Sequence, residues 1–202
     1  MPRRRRGVAP AWLGLAALLA LFAALGWWLP HERLDWQPAL ALSQPWRMFS
    51  AVAVHYSVAH LAANLVGALL IGALGWAAKV STPMVWAWAM AWPFTHLALL
   101  LQPTLGHYGG LSGVLHAGVA VVAAHLVWRG AGAQRRIGVV MACVLLAKVV
   151  AESPWGPPVF HSPLGIMVAP LAHATGAVAG ALCAVVCAAL GAAESRRRSP
   201  DA

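Results

Sequence analysis

Long apolar runs are the feature that most constrains how this chain can fold. Alanine, leucine and valine recur in blocks along its whole length, and only 9% of its 202 residues are charged. A helix needs roughly 20 apolar residues to cross a bilayer, and it satisfies its backbone polar groups internally. The sequence therefore predicts an all-α fold, a polytopic membrane protein with a bundle of six transmembrane helices. The predicted spans are Ala11–Leu29, Val52–Trp76, Met84–Leu101, Ser112–Trp128, Ile137–Ala151 and Ala169–Leu190.

The basic residues predict how these spans are oriented. Most of them lie at one set of span ends, and only Arg33 and Arg47 fall in loops on the opposite side. Because Lys and Arg are retained in the cytoplasm, we expect both termini there, in a bacterial inner membrane. The net charge of +9 then indicates a lipid bilayer and no nucleic acid as partner. The residues expected on the cytoplasmic side are Arg3, Arg4, Arg5, Arg6, Lys79, Arg129, Arg135, Arg136, Arg196, Arg197 and Arg198.

The spans leave only short segments outside the membrane. We expect a basic cytoplasmic N-terminus at residues 1–10, one membrane domain over 11–190 and a basic cytoplasmic tail at 191–202. Cys143, Cys183 and Cys187 all lie within spans and form no C-x-x-C pattern, so they predict neither a disulfide framework nor a zinc site.

A serine stands between glycines in the segment HYGGLSGVLHAG, residues 107–118, where a polar loop becomes an apolar span. The predicted topology places Ser112 at the outer end of the fourth span, just below the membrane surface. Gly109 and Gly110, which precede it, permit a tight backbone approach. Irregular backbone at that depth is tolerated only against protein or a water-filled cavity. The sequence therefore predicts a cavity at this serine.

Two other spans bring polar side chains to the same depth. His60 and Asn64, four residues apart, share one face of the second span, and His173 opens the sixth. A serine becomes a nucleophile when a neighbouring base takes its proton, and His173 is suited to that role. Asn64, His60 and the backbone N–H of Ser112 are the predicted oxyanion donors. This set predicts acyl transfer, which needs no cofactor and no metal.

The sixth span also predicts close helix packing. Gly176 and Gly180 follow His173 at i+3 and i+7, which places the histidine on a stripe of small residues. The two aspartates lie away from this level, Asp35 in the first loop and Asp201 in the tail. We therefore expect a Ser/His dyad without a third acid.

These motifs resemble the signature of rhomboid intramembrane serine proteases over roughly Trp46 to Leu190. The resemblance implies a rhomboid-like bundle, with Ser112 as nucleophile, His173 as base, and His60 with Asn64 as the oxyanion hole. The motifs that carry it are Trp46-Arg47, His60-x-x-x-Asn64, Gly110-Leu111-Ser112-Gly113 and Ala172-His173-x-x-Gly176-x-x-x-Gly180.

One residue departs from the usual rhomboid motif and points to a particular branch of the family. Many rhomboids have a tyrosine four residues after the serine, where this chain has His116. The run GLSGVLH, the compact core and the Lys148-x-x-x-Glu152 pair are more similar to the rhombosortase branch. That branch implies a membrane-anchored, exported substrate with a C-terminal Gly-Gly, a transmembrane helix and a basic tail. It would be cut near the Gly-Gly, by hydrolysis or by transfer to another acceptor.

Several of these residues also have structural interpretations. Lys148 and Glu152 are expected to neutralise each other within the fifth span, although a contact with the substrate tail is the alternative. His116 lies one turn below the serine and either orients the site or packs. His55, at the mouth of the second span, is expected to be structural or interfacial and not catalytic.

Other functions fit parts of the sequence. The chain could be a general rhomboid protease with other single-span substrates, or a catalytically inactive relative that acts as a chaperone. A non-enzymatic membrane protein that binds haem or a metal through His60, His116 and His173 is the main alternative from another class. The intact Ser112 and His173 favour the protease.

Overall fold

A computed structural model of the chain describes residues 9–102 and 104–197. The predicted cytoplasmic residues Arg3 to Arg6 and Arg198, and Asp201 of the tail, lie outside the described residues. Within them, the main elements are six long helices. These helices are α1 (Ala9–Gly26), α2 (Val58–Ala77), α3 (Thr82–Leu97), α4 (Ser112–Arg129), α5 (Ala133–Ala151) and α6 (Pro170–Arg197).

Shorter elements occupy the connections between these helices. Residues 159–168 form an antiparallel hairpin of strands β1 (Val159–His161) and β2 (Ile166–Val168), with Val159 opposite Val168. These strands lie between the fifth and sixth predicted spans, where no strand was predicted. The other short elements are two helical turns, His31–Leu34 and Arg47–Ser50, and four 3₁₀ turns, Pro38–Leu40, Ala51–Ala53, Ala98–Leu101 and Ser162–Leu164.

The expectation of a helical, integral membrane protein is confirmed. Four stretches of the described chain are long and apolar enough to cross a bilayer: Val58–Ala77, Thr82–Leu101, Ser112–Arg129 and Pro170–Ala193. The apolar helix Pro10–Gly26 is shorter. Helix α5, which carries Gln134, Arg135, Arg136 and Lys148, is not among these four stretches.

Helix α2 begins six residues later than the predicted second span. Residues Ala51–Ala53 form a 3₁₀ turn, and residues 54–57 that follow are not helical. The Ser57 hydroxyl accepts the backbone N–H of His60 at 3.0 Å, which caps the first turn of α2. The same hydroxyl donates to the carbonyl of Leu164 at 2.5 Å. This cap therefore ties the start of α2 to the hairpin segment.

Helix α4 is the centre of the bundle. In α4, 61% of the apolar stretch is buried. In the other three stretches that are long enough to cross a bilayer, 33 to 44% is buried. Helix α4 packs against α2, α3, α5 and α6. Small residues make this possible, because a Cβ on Gly118 would lie 2.8 Å from Ile71 and 2.9 Å from Trp88. A residue at the start of α4 is consequently surrounded by several other helices.

The contact between α4 and α6 depends on glycine. A Cβ on Gly176 would collide with the backbone carbonyl of Gly113, and one on Gly180 with the carbonyl of Ala117. The backbones of the two helices can approach this closely only without side chains between them. The glycine stripe therefore sets the separation between Ser112 and His173, which lie one residue before Gly113 and three before Gly176.

We expect Gly176→Val to lower the thermal stability of the protein. The added atoms must push α6 away from α4, and overpacking of this kind costs about 1–3 kcal/mol. That corresponds to several degrees in Tm for a chain of this size, measured by thermal unfolding in detergent. Gly14→Val is the matched control, because nothing lies within 4 Å of a Cβ at Gly14. Equal Tm values for the two variants would contradict the packing argument.

The loops that carry polar groups gather where α2, α4 and α6 begin; we call this the site end of the bundle. Trp36 of the first loop and Tyr108 of the loop before α4 exchange backbone hydrogen bonds of 2.7 and 2.8 Å. Arg47 and Asp35, both buried, form an ion pair of 2.9 Å. The first loop is thus fastened to the segment that leads into Ser112.

Candidate active site

Ser112 is the first residue of α4 and is half-buried. The turn before it is tight: Gly110 has a φ of +135° and its N–H donates to the carbonyl of Ala51 at 2.9 Å. A side chain at Gly110 would be strained at this φ, and its Cβ would lie 2.9 Å from the ring of His60. Glycine is therefore required for the serine to start its helix beside α2.

His173 lies in the first turn of α6, and its side chain is only 9% exposed. Its Nε2 is 3.0 Å from the Oγ of Ser112, which is hydrogen-bonding distance. The two residues are 61 positions apart in the sequence and meet because the glycine contacts bring α4 and α6 together. The structure thus places the predicted nucleophile and the predicted base in direct contact.

His116 supports both of these residues. Its ring stacks on the ring of His173 with centroids 4.2 Å apart and an interplanar angle of 13°. Its Nδ1–H donates to the backbone carbonyl of Ser112 at 2.7 Å. These contacts place His116 against both residues, and its stacked ring restricts how the His173 ring can turn.

Glu152 also contacts His173, which the sequence did not predict. Its Oε2 accepts the Nδ1–H of His173 at 2.7 Å, while its Oε1 accepts Lys148 Nζ at 2.6 Å. The Lys148–Glu152 ion pair is therefore present as predicted. The expectation that no acid reaches the Ser/His pair is wrong. The available signal was topological, since α5 ends at the level where α4 and α6 begin.

The electrostatics of Glu152 reflect these two donors. Glu152 follows the last residue of α5, and its side chain is 31% exposed. Burial raises the pKa of its carboxyl, but hydrogen bonds from His173 and Lys148 outweigh burial and lower that pKa to about 2. Glu152 is therefore a carboxylate at neutral pH, and a carboxylate can only accept hydrogen bonds.

His60 and Asn64 lie one turn apart on α2, and both are buried. They line the same cavity as Ser112 and His173. Asn64 has a further partner, because its Nδ2 lies 2.9 Å from the Nε2 of His55. One amide hydrogen is used by that bond, and the other is free to face the cavity.

His55 contributes to the site, whereas the sequence suggested only a structural or interfacial role. It is fully buried just before α2, with its ring centroid 4.8 Å from that of His60. Burial, together with the neighbouring His60, lowers the pKa of His55 to about 4. A neutral His55 ring can accept the Asn64 amide, so His55 orients that side chain. The spacing His55 to His60 carries no helical signal because α2 begins only at Val58.

The polar side chains surround one cavity of about 300 Å³. Ser112, His116 and His173 lie on one side of it, while Leu164 and strand β2 of the hairpin lie on another. The predicted cavity at the serine is therefore present, and the hairpin forms part of its wall. His161, for which the sequence suggested no role, also lines it.

A second opening reaches the serine from the side. A groove of about 500 Å³ runs between α2 and α5 and includes Ser112 and His116 among its lining residues. Most of its wall is apolar or small, with Gly67 and Ala63 on α2 facing Met141 and Val144 on α5. The site is thus bordered by a polar cavity at one end and an apolar groove along the bundle.

Comparison with known proteins finds a family model that matches this chain. The Rhomboid domain model matches residues 42–190, which is most of the chain and includes every site residue described above. Comparison with curated proteins finds no significant match. The matched region starts in the first loop and ends within α6, so it covers five of the six long helices and the loops at the site end. The chain therefore belongs to the rhomboid family of intramembrane serine peptidases.

Proposed function

We propose that this protein is an intramembrane serine protease in which Ser112 is the nucleophile and His173 the general base. The observation that carries the proposal is the 3.0 Å separation of His173 Nε2 and Ser112 Oγ at the wall of a cavity. A serine and a histidine at this distance, held by rigid helices, have the geometry that nucleophilic catalysis requires.

The reaction follows from these two atoms. Ser112 Oγ attacks the carbonyl carbon of the scissile bond while its proton moves to His173 Nε2. The C–N bond then breaks, the proton passes to the leaving amine, and Ser112 carries an ester. Water, or another acceptor with an exchangeable proton, attacks the ester and gives its proton to His173. Ser112 recovers that proton as the product leaves.

The negative charge on the tetrahedral intermediate needs donors. The Asn64 amide, the His60 ring and the backbone N–H of Ser112 are the proposed oxyanion hole. All three residues line the cavity, and His55 fixes the orientation of Asn64 through their 2.9 Å hydrogen bond. Donors held in place before the reaction stabilise developing charge without reorganising.

We propose that all six long helices cross a bacterial inner membrane, with both termini in the cytoplasm and the site end facing outward. Basic residues where α2 and α4 end and α5 begins support this orientation, because Lys79, Arg129 and Arg135 lie at the end opposite the site. The membrane domain is proposed to comprise residues 11–190, with the basic segments 1–10 and 191–202 on either side.

The proposed substrate is a membrane-anchored exported protein that is cut near a C-terminal Gly-Gly. An anchored substrate can approach through the apolar groove between α2 and α5, which reaches Ser112. Helical backbone hides its carbonyls in internal hydrogen bonds, so the cut site must be unwound before attack. Glycines lower the cost of unwinding. A Gly-Gly just outside a transmembrane helix meets this need, and a basic tail would set the orientation of that helix.

A reporter tests this substrate class. We expect co-expression with an exported reporter that ends in Gly-Gly, an apolar helix and arginines to release the reporter from the membrane. Replacing Gly-Gly by Leu-Leu should reduce release about 10-fold, because helix propensity then opposes unwinding. Mass spectrometry of the released C-terminus distinguishes hydrolysis from transfer to another acceptor.

The matched controls separate the specific assignment from the general one. The Ser112→Ala protein should leave every reporter uncut. If the Gly-Gly reporter stays intact while an unrelated helical rhomboid substrate is cleaved, the Gly-Gly specificity is wrong and a general rhomboid protease is the better description.

A further inference from the structure

We propose that Glu152 is a positioning residue that completes a Ser112–His173–Glu152 triad, in place of the dyad that the sequence suggested. The inference rests on the proposed protease function and assigns a new role within the same site. Glu152 Oε2 accepts the Nδ1–H of His173 and thereby holds Nε2 toward Ser112. Glu152 acts through the histidine and does not touch the substrate.

The geometry forms a continuous chain of hydrogen bonds. Ser112 Oγ to His173 Nε2 is 3.0 Å, and His173 Nδ1 to Glu152 Oε2 is 2.7 Å. The shorter distance is that of a charge-assisted hydrogen bond, which is stronger than a neutral one. The His173 side chain is only 9% exposed, so water competes little for its nitrogens. Both ring nitrogens consequently have a single defined protein partner.

The carboxylate determines which nitrogen carries the proton. A neutral imidazole has one N–H, and a carboxylate can only accept, so the proton lies on Nδ1 beside Glu152. The lone pair of Nε2 then faces the Ser112 hydroxyl and can receive its proton. When that transfer occurs, the imidazolium forms next to a negative charge that stabilises it. Both effects favour the step that activates Ser112.

Two neighbouring residues hold Glu152 and His173 in these orientations. Lys148 Nζ donates to the second carboxylate oxygen at 2.6 Å, which leaves Oε2 for His173. The stacked ring of His116 limits rotation of the His173 ring about its side-chain bonds. Glu152 remains ionised at neutral pH because its pKa is lowered to about 2. The third member is therefore charged, oriented and directly bonded in the resting protein.

Substitution of Glu152 tests the proposal in the full-length protein in detergent or liposomes. We expect Glu152→Gln to lower kcat about 10- to 100-fold with KM changed less than about 2-fold, since the glutamine amide can donate to Nδ1 and favour the wrong tautomer. Glu32→Gln is the matched control, because Glu32 is exposed in the first loop, and its kcat should equal that of the wild type. Lys148→Met should lose less activity than Glu152→Gln.

Two measurements separate positioning from stability. In Glu152→Ala, formate should restore part of kcat as its concentration rises without changing Tm, because the side chain is 31% exposed and an anion can enter. Glu152→Gln should not respond, since its side chain fills the space. In ¹⁵N-histidine NMR, the proton of His173 should move from Nδ1 in the wild type to Nε2 in Glu152→Gln.

The outcomes distinguish this inference from the protease proposal. If the wild type cleaves, Ser112→Ala does not, and folded Glu152→Gln retains wild-type kcat and tautomer, the triad is wrong and the protease stands. Equal losses in Lys148→Met and Glu152→Gln without formate rescue would also overturn the triad. If the wild type cleaves nothing and a fluorophosphonate does not label Ser112, the protease proposal fails, and the NMR tautomer still decides the role of Glu152.

Discussion

Cleavage is expected to disappear when either Ser112 or His173 is replaced by alanine. The first change removes the attacking oxygen, and the second removes the acceptor of its proton. In serine proteases, such changes lower kcat on the order of 10⁴-fold or more. The double variant should be no worse than either single one, because the two residues act as a unit. Release of a membrane-anchored reporter and labelling by a fluorophosphonate both measure the loss.

The first control for this prediction removes a serine hydroxyl that lies outside the site. Ser43→Ala removes an exposed hydroxyl of the first loop and should leave the rate unchanged. Thermal unfolding of Ser112→Ala should resemble that of the wild type, since the change removes only one hydrogen bond, at the wall of a cavity. Near-normal cleavage by purified Ser112→Ala protein would end the serine-protease interpretation.

The second large effect is expected at Asn64. We expect Asn64→Ala to retain on the order of 1% of wild-type kcat or less, because removing one oxyanion donor typically costs about 100- to 1,000-fold. Some activity should remain, since His60 and the Ser112 N–H are also proposed donors. KM should change little, because the donor acts on charge that develops only in the transition state.

A second substitution separates the proposed donor role of the Asn64 amide from a packing role. Asn64→Asp is nearly isosteric but cannot donate, so its kcat should fall at least as far as that of Asn64→Ala. Gln134→Ala removes an exposed amide at the opposite end of the bundle and should leave kcat unchanged. If Asn64→Asp is as active as the wild type, the amide is not a donor and Asn64 serves only to pack α2.

Much of the bundle could be predicted because membrane helices are encoded locally. The apolar runs predicted six helices, and each overlaps a long helix of the described residues. The Lys148–Glu152 pair followed from its i,i+4 spacing, and His60 with Asn64 from a shared helix face. Alternation of the spans then brought Ser112 and His173 to one end, because successive spans run in opposite directions.

The boundaries of the polar loops were predicted less well. The start of α2 at Val58 depends on the Ser57 cap, and the predicted span included residues 52–57 although they do not belong to α2. The hairpin of β1 and β2 lies between the fifth and sixth predicted spans, in a segment rich in proline and glycine that gives no strand signal. Its strands pair over three residues and are held beside the cavity by contacts with α2, such as Ser57 to Leu164.

By itself, the sequence determined that this is a helical membrane protein, where its helices lie and at which end of the bundle the polar residues meet. It also carried the motifs of the family. These features could be predicted because hydropathy and spacing are properties of neighbouring residues. Only the tertiary structure decided which polar groups touch. Backbone contacts at Gly113 and Gly176 set how closely α6 approaches α4, and so how far His173 lies from Ser112. Glu152, just after α5, and His173, in the first turn of α6, are 21 residues apart and meet only because both of these helices pack beside α4. The same packing turns Oε2 of Glu152 toward His173, while Oε1 binds Lys148 as predicted. The i,i+4 spacing of Lys148 and Glu152 does not predict this second contact.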